Sequence, residues 1–161
     1  MPRVVGPPRR YRKAVRCALA LALVLTLAAC DSSGGNRLTK AEYAARANAI
    51  CARFNKQVRS FGGAESLKAL ARLSERTLPA LDATTQKLRR LRAPKDEQET
   101  ADAWMSSLDR LHRDVAAIRE RAVANDLAGV QRLVPGASRD NRQSDALADR
   151  LGATTCSKSQ T

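Results

Sequence analysis

From residue 38 to residue 151 the apolar side chains recur at steps of three and four, and no run of β-branched and aromatic residues alternates with period two. That periodicity confines the chain to helices. In the first segment Tyr43, Ala47, Ile50, Phe54, Val58 and Phe61 share a face, while Glu42, Arg46, Arg53 and Lys56 fall opposite. Thr39 and Glu42 have the spacing of a capping box, and Gly62 with Gly63 stops the helix. Cys51 lies beside Ala47, Phe54 and Val58, which puts its sulfur at the edge of the core.

A second helix is predicted over about 64–91, with Leu67, Leu70, Ser74, Leu78, Leu81, Thr85 and Leu88 in one stripe. Pro79 removes a backbone donor and disfavours helical geometry at Leu78, so a kink or short break is expected near Thr77 and Leu78. The third helix opens with Pro94 in its first turn and with Asp96, Glu97 and Glu99 against its positive end. It carries Trp104, Leu108, Leu111, Val115, Ile118 and Ala122 and runs to about Ala124. Asn125 or Asp126 caps a short helix through Leu127, Val130 and Val134, which Pro135 and Gly136 end. A weakly apolar last helix follows over about 138–151, with Leu147 and Leu151 as its clearest core residues and Gly152 as its stop. The expected fold is all-α: an antiparallel helical bundle of three long helices plus one or two short C-terminal helices.

Ahead of this part, Arg3, Arg9, Arg10, Arg12, Lys13 and Arg16 precede an uncharged Leu/Ala-rich run, 17–29, and no acidic residue comes before Asp31. The run is shorter than the roughly 20 residues that cross a bilayer as a helix, which disfavours the alternative of an uncleaved anchor. It closes on Leu27, Ala28, Ala29 and Cys30. This arrangement resembles the signal peptide and lipobox of a bacterial lipoprotein precursor. The resemblance covers 1–30 and implies cleavage between Ala29 and Cys30, a diacylglyceryl thioether on Cys30, and residence on the extracytoplasmic face of the cell membrane. Arg9 and Arg10 are followed by Tyr11, Arg12 and Lys13, a poor match to a twin-arginine signal, so general secretion is the expected route. Each buried methylene contributes about 0.8 kcal/mol, and two acyl chains hold a protein where one does so only marginally.

Residues 30–37 then form a lipid-anchored flexible linker, since 31–36 offer nothing to bury and include two adjacent glycines. At about 3.3–3.6 Å per residue the linker reaches at most about 25 Å. It leaves 38–156 as the bundle domain and 157–161 as a disordered tail.

The same resemblance decides how the four cysteines are used. Cys17 leaves with the leader and Cys30 takes the lipid, so Cys51 and Cys156 remain as the one pair. Outside the cytoplasmic membrane thiols meet an oxidising environment, and a Cys51–Cys156 disulfide is expected. Two metal ligands or a redox couple would need closer spacing and further His or Cys. Removing the leader takes six of 29 basic residues and none of the 16 acidic ones, so the charge falls from +13 to +7. From Thr39 to Cys156 the layout also resembles the small Ala-rich helical exported proteins and lipoproteins of actinobacteria, with one cysteine in the first helix and one near the C-terminus. That resemblance implies a helical exported domain and no particular activity.

The sequence carries no signature of a zinc protease, a serine-nucleophile elbow, a phosphate-binding glycine loop or a dinucleotide fold. The single histidine, His112, flanks the third apolar stripe with Asp109 three residues before it, and it has no second histidine to share a metal. The densest cationic cluster is Lys87, Arg89, Arg90, Arg92 and Lys95. Outside the membrane such a cluster could meet phospholipid headgroups or anionic wall polymers, at about 1 kcal/mol per basic residue near an anionic bilayer. Its plain reading is a set of solvated cations complementing a helix C-terminus. Trp104 with Met105 reads as core, with a small interhelical pocket as the alternative, and aromatics at 3% disfavour sugar or base stacking.

These observations lead to the expectation of a membrane-tethered, non-enzymatic interaction module for an envelope protein or the cell wall, without cofactor, metal or nucleic acid. The alternative is a carrier or sensor of a small apolar or lipid ligand held between helices near Pro79. A cavity would favour the second, an exposed apolar patch the first.

Overall fold

A computed structural model describes residues 37–157. The expected leader, the cleavage and lipidation site at Ala29 and Cys30, the linker up to residue 36 and the last four residues lie outside the described residues. The rest is helical: α1 Lys40–Arg59, α2 Leu67–Arg89, a 3₁₀ turn Lys95–Glu97, α3 Gln98–Val123, α4 Leu127–Arg150 and a one-turn α5 Thr154–Ser157. Short connections make α1 to α4 run alternately up and down, and among the described residues there is no strand. No described helix is long and apolar enough to cross a membrane.

The chain ends each helix where local chemistry says it should. The Thr39 hydroxyl accepts from the Glu42 backbone N–H at 3.3 Å while the Glu42 carboxylate accepts from the Thr39 N–H at 2.8 Å, which completes the capping box. The Asp126 carboxylate accepts from the Gly129 N–H at 2.7 Å and starts α4. A Cβ on Gly129 would stand 2.1 Å from Asp126 Oδ2, so only glycine lets this cap close. Asn125 takes the left-handed conformation after α3 (φ 56°), and Gly152 does so after α4 (φ 75°). At both ends the two following N–H groups fold back on the last turn: Asn125 to Ala122 and Asp126 to Arg121, Gly152 to Asp149 and Ala153 to Ala148. This is the Schellman arrangement.

Two prolines behave otherwise than the sequence suggests. Pro79 sits inside an unbroken α2, and Pro135 sits inside an α4 that joins what read as two short helices. Both prolines are exposed, so the carbonyls they leave without a helical donor face water. The decisive reason at Pro135 is register. Val130, Val134, Ala137, Asn141, Ser144, Ala148 and Leu151 follow steps of four and three straight across it, and that seam packs continuously along α3. The C-terminal part is therefore one long helix and one single turn, and the bundle has four long helices.

Full burial is concentrated at the end where the chain enters. Tyr43, Ala47 and Cys51 from α1, Leu88 from α2, Ala101, Trp104 and Met105 from α3, and Ala148 and Leu151 from α4 form one cluster with Ala93 and Ala153. The entry itself is stitched to the α2–α3 connection. The Leu38 N–H donates to the Arg92 carbonyl at 2.9 Å, Arg37 donates to the Ala93 carbonyl at 3.0 Å and to Gln98 Oε1, and Lys40 pairs with Glu97 at 2.5 Å.

The fourth side of the bundle is closed differently from the others. Helices α1 and α4 are not a directly packed pair, and α5 packs against both. Cys51 and Cys156 form the expected disulfide, with Cα atoms 5.1 Å apart. Asn48 reinforces it, donating to the Gly152 carbonyl at 3.2 Å and accepting from the Thr155 N–H at 2.8 Å. The bond spans 105 positions of sequence. The chain-entropy relation gives a loss of about 4–5 kcal/mol for opening a loop of that length. Urea denaturation of Cys51→Ser, or of the reduced protein, should show a loss of that order relative to the oxidised protein.

Candidate functional site

Away from the entry end the four long helices face one another with mismatched side chains. Helix α3 offers Leu108, Leu111, Val115 and Ile118, whereas the α4 seam narrows to Ala137, Asn141 and Ser144, and α2 supplies Thr77 and Thr84 between its leucines. Small residues opposite large ones leave the middle unfilled. The result is a partly open cavity of about 350 Å³. That volume lies at the lower end of the roughly 300–1,000 Å³ usual for small-molecule sites. Its walls also take in Phe54 and Val58 from α1, with Trp104, Leu88 and the cystine at its inner end and Val134 and Arg59 at its outer end.

The polar groups in these walls differ in how well they are satisfied. Thr84 and Thr77 turn their hydroxyls back onto their own helix, donating to the Ala80 carbonyl at 2.7 Å and to the Leu73 carbonyl at 2.8 Å. Asn55 is 7% exposed, and its Nδ2 donates to the Thr155 carbonyl at 3.0 Å, while its Oδ1 is buried with no hydrogen-bond partner. A buried polar atom without a partner costs about 1–3 kcal/mol. Asp145 accepts from Asn141 Nδ2 at 3.0 Å and has no ion pair among the described residues. Burial first, and the Asp149 carboxylate second, hold Asp145 above the usual carboxylate range.

The structure scatters the other candidates. His112 lies in a separate surface depression with Asp82, Arg89 and Asp109. Its neighbour Asp109 is taken by Arg89, which donates to both carboxylate oxygens at 2.6 Å. Lys87, Arg89, Arg90, Arg92 and Lys95 are all exposed and gather at the entry end, with Asp96 and Glu97 directly after them in the chain. Trp104 is 1% exposed and belongs to the core, yet it also forms part of the cavity wall, so both readings of it apply. Among the described residues no group of three or more His, Cys, Asp or Glu could hold a metal ion.

Asn55 and Asp145 did not stand out from the sequence. A weak signal existed for Asn55: it follows Ala47 and Cys51 at steps of four, so an amide occupies a core position. Asp145 gave none, because its distance from any cation depends on the whole bundle.

No protein-family model, curated protein or solved structure matches the chain.

A second pair of carboxyl groups lies across the α3–α4 interface. Asp114 is raised above the usual range by burial first and then by the charge and hydrogen bond of Asp140, with Arg113 and Arg110 opposing. Its Oδ2 is buried without a hydrogen-bond partner. A carboxyl whose pKa is higher in the folded state stabilises the fold while protonated, and that stabilisation is lost as pH rises from the unfolded value through the folded one. Asp114→Asn should therefore raise the urea midpoint at pH 7, with the gain disappearing below about pH 4, where wild-type Asp114 is protonated in both states.

Proposed function

We propose that the chain is a membrane-tethered binder of a small, largely apolar molecule held between its helices, acting as carrier or sensor and not as a catalyst. The observation that carries this reading is the cavity of about 350 Å³, apolar over most of its wall and sited where all four long helices contribute. Its lining includes one carboxylate and no histidine, and its two sulfurs are joined in the cystine, which supports retention of a ligand over catalysis. The same walls suit retention of a ligand, with apolar side chains for its body and a few polar groups to orient it.

Trp104 is the chain's single tryptophan and lies in this wall, so its fluorescence reports occupancy. Short-chain amphiphiles below their aggregation concentrations should shift that emission saturably. Ala137→Phe, which fills the cavity from α4, should weaken the response at least tenfold while leaving the thermal unfolding midpoint unchanged or higher. An unaltered titration in the filled variant would remove the proposal.

The tether is part of the same reading. The resemblance of residues 1–30 to a lipoprotein precursor supports acylation of Cys30 and an extracytoplasmic position, and a Cys51–Cys156 cystine fits such a compartment. Intact-mass measurement of the native product should give a chain that begins at Cys30 and carries lipid. A retained leader or a bare thiol would overturn it.

The second reading, docking to another envelope protein, draws on Val123, Leu127 and Val134, which are 65%, 54% and 46% exposed around the α3–α4 turn. Val134 also belongs to the outer end of the cavity. A partner seated there would touch the same opening that a ligand uses.

A further inference from the structure

The exposed large apolar side chains among the described residues, Val123, Leu127 and Val134, all stand toward the end of the bundle remote from the chain entry. Helix length puts them there. Lys40 pairs with Glu97, so α1 and α3 start level, and the 26 residues of α3 outrun the 20 of α1 by about 9 Å. The α3–α4 hairpin therefore overhangs α1. Leu127 and Val134 recur at helical spacing on one face of α4, and Val123 is the last residue of α3 before the turn. Val134 also shares the outer end of the cavity with Arg59, the last residue of α1.

The same end carries unbalanced positive charge. Arg121 and Arg132 both approach the Asp126 carboxylate, at 3.4 and 4.0 Å, so their two charges meet a single negative one. Arg59, Lys68 and Arg72 are exposed and have no ion pair among the described residues, with only Glu65 and Glu120 as further carboxylates on the adjoining helix ends. At the entry end Asp109 holds Arg89 and Glu97 holds Lys40, and no exposed large apolar side chain lies there. Three aliphatic side chains make a poor centre for a protein interface, which needs about 1,000 Å² and concentrates its energy in Trp, Tyr and Arg. They suit a bilayer boundary, which takes in apolar tips while phosphates meet the cations around them. Resting on the reading of the chain as a membrane-tethered binder, we propose that the α3–α4 end docks on an anionic phospholipid bilayer. Val123, Leu127 and Val134 enter the headgroup boundary, and Arg59, Arg121 and Arg132 meet phosphates. Residues 30–37, as a tether joined at the entry end, reach about 25 Å, so a bundle about 40 Å long can lie over until its other end meets the same bilayer. The outer end of the cavity then adjoins the membrane, the store of apolar molecules nearest to it.

An environment-sensitive fluorophore on Ala128→Cys, an exposed position next to Leu127, tests this in the native acylated product. Vesicles of phosphatidylcholine are compared with vesicles of phosphatidylcholine and phosphatidylglycerol in equal parts; flotation with the first reports the Cys30 tether, and emission reports docking. The probe should brighten at least twofold and shift to the blue on the anionic vesicles alone, and salt at about 0.5 M should reverse most of the change. Val123→Ser with Leu127→Ser, and separately Arg121→Gln with Arg132→Gln, should each remove most of the gain while flotation persists, with circular dichroism confirming that both fold. The same fluorophore on Ala45→Cys, exposed in the entry half of α1, should not respond. Equal emission on the two kinds of vesicle, or a response at Ala45 in place of Ala128, would overturn the docking and leave the tether. A response that requires added membrane proteins would assign the patch to a protein partner, and one that grows with protein density on phosphatidylcholine alone would assign it to a second copy; either overturns the proposal. A chain that floats only with anionic vesicles, its Ala128 response intact, would remove the tether and keep the docking, whereas one that floats with neither removes both.

Discussion

One covalent bond determines how this bundle closes. Three of its sides are helix against helix, but the side between α1 and α4 is bridged by α5, a single turn that could not hold a position by burial alone. The Cys51–Cys156 cystine and the Asn48 amide fix that turn to the middle of α1. Two consequences follow from this placement. The first helix is kept in the fold although it packs less extensively than the α3–α4 pair, and it is kept at a distance from α4 that side-chain packing alone would tend to reduce. The interior space is then a product of the bridge together with the small residues beneath it.

Packing along the bundle is graded for the same reason. Near the chain entry, alanines at 47, 101, 148 and 153 let backbones approach closely enough to bury Tyr43 and Trp104, at 2% and 1% exposure. Tyr43 pays for this with a hydroxyl pushed up to about 12, by burial and by the nearby Asp102 charge, so it stays neutral through the physiological range. Beyond Leu108 small residues again face the interior, but here they oppose side chains that do not reach across. Small residues thus tighten one half and open the other, and the difference lies in whether an aromatic ring fills the space they leave.

Much of this architecture was legible from residue spacing. The Thr39–Glu42 box, the Asp126 cap, the stop at Gly152 and the cystine all rest on local or pairwise chemistry that a sequence states directly. The two prolines were not legible, because a proline's local cost of one hydrogen bond was weighed without the tertiary seam that outlasts it. Dividing the C-terminal part at Pro135 also hid the run of Ala137, Asn141 and Ser144 as one continuous face, and with it the sign that this face is too small to fill a core. The cavity was anticipated near Pro79 as an alternative; Thr77 and Leu81 on either side of that proline do line it, but it owes its volume to the small residues of α4, since α2 is unbroken there.

Asn55 and Asp145 set the wall of this cavity apart from that of a purely apolar packing defect. An accidental void is lined by apolar atoms that lose only contact energy, and nothing in it prefers one occupant to another. Here an amide is placed at a core position, is held by the Thr155 carbonyl so that its oxygen is left without a donor, and lies level with a carboxylate whose other neighbour is a second carboxylate. Each feature alone lowers stability. An apolar side chain at position 55 or 145 would relieve the penalty, so the fold bears a cost that packing does not require.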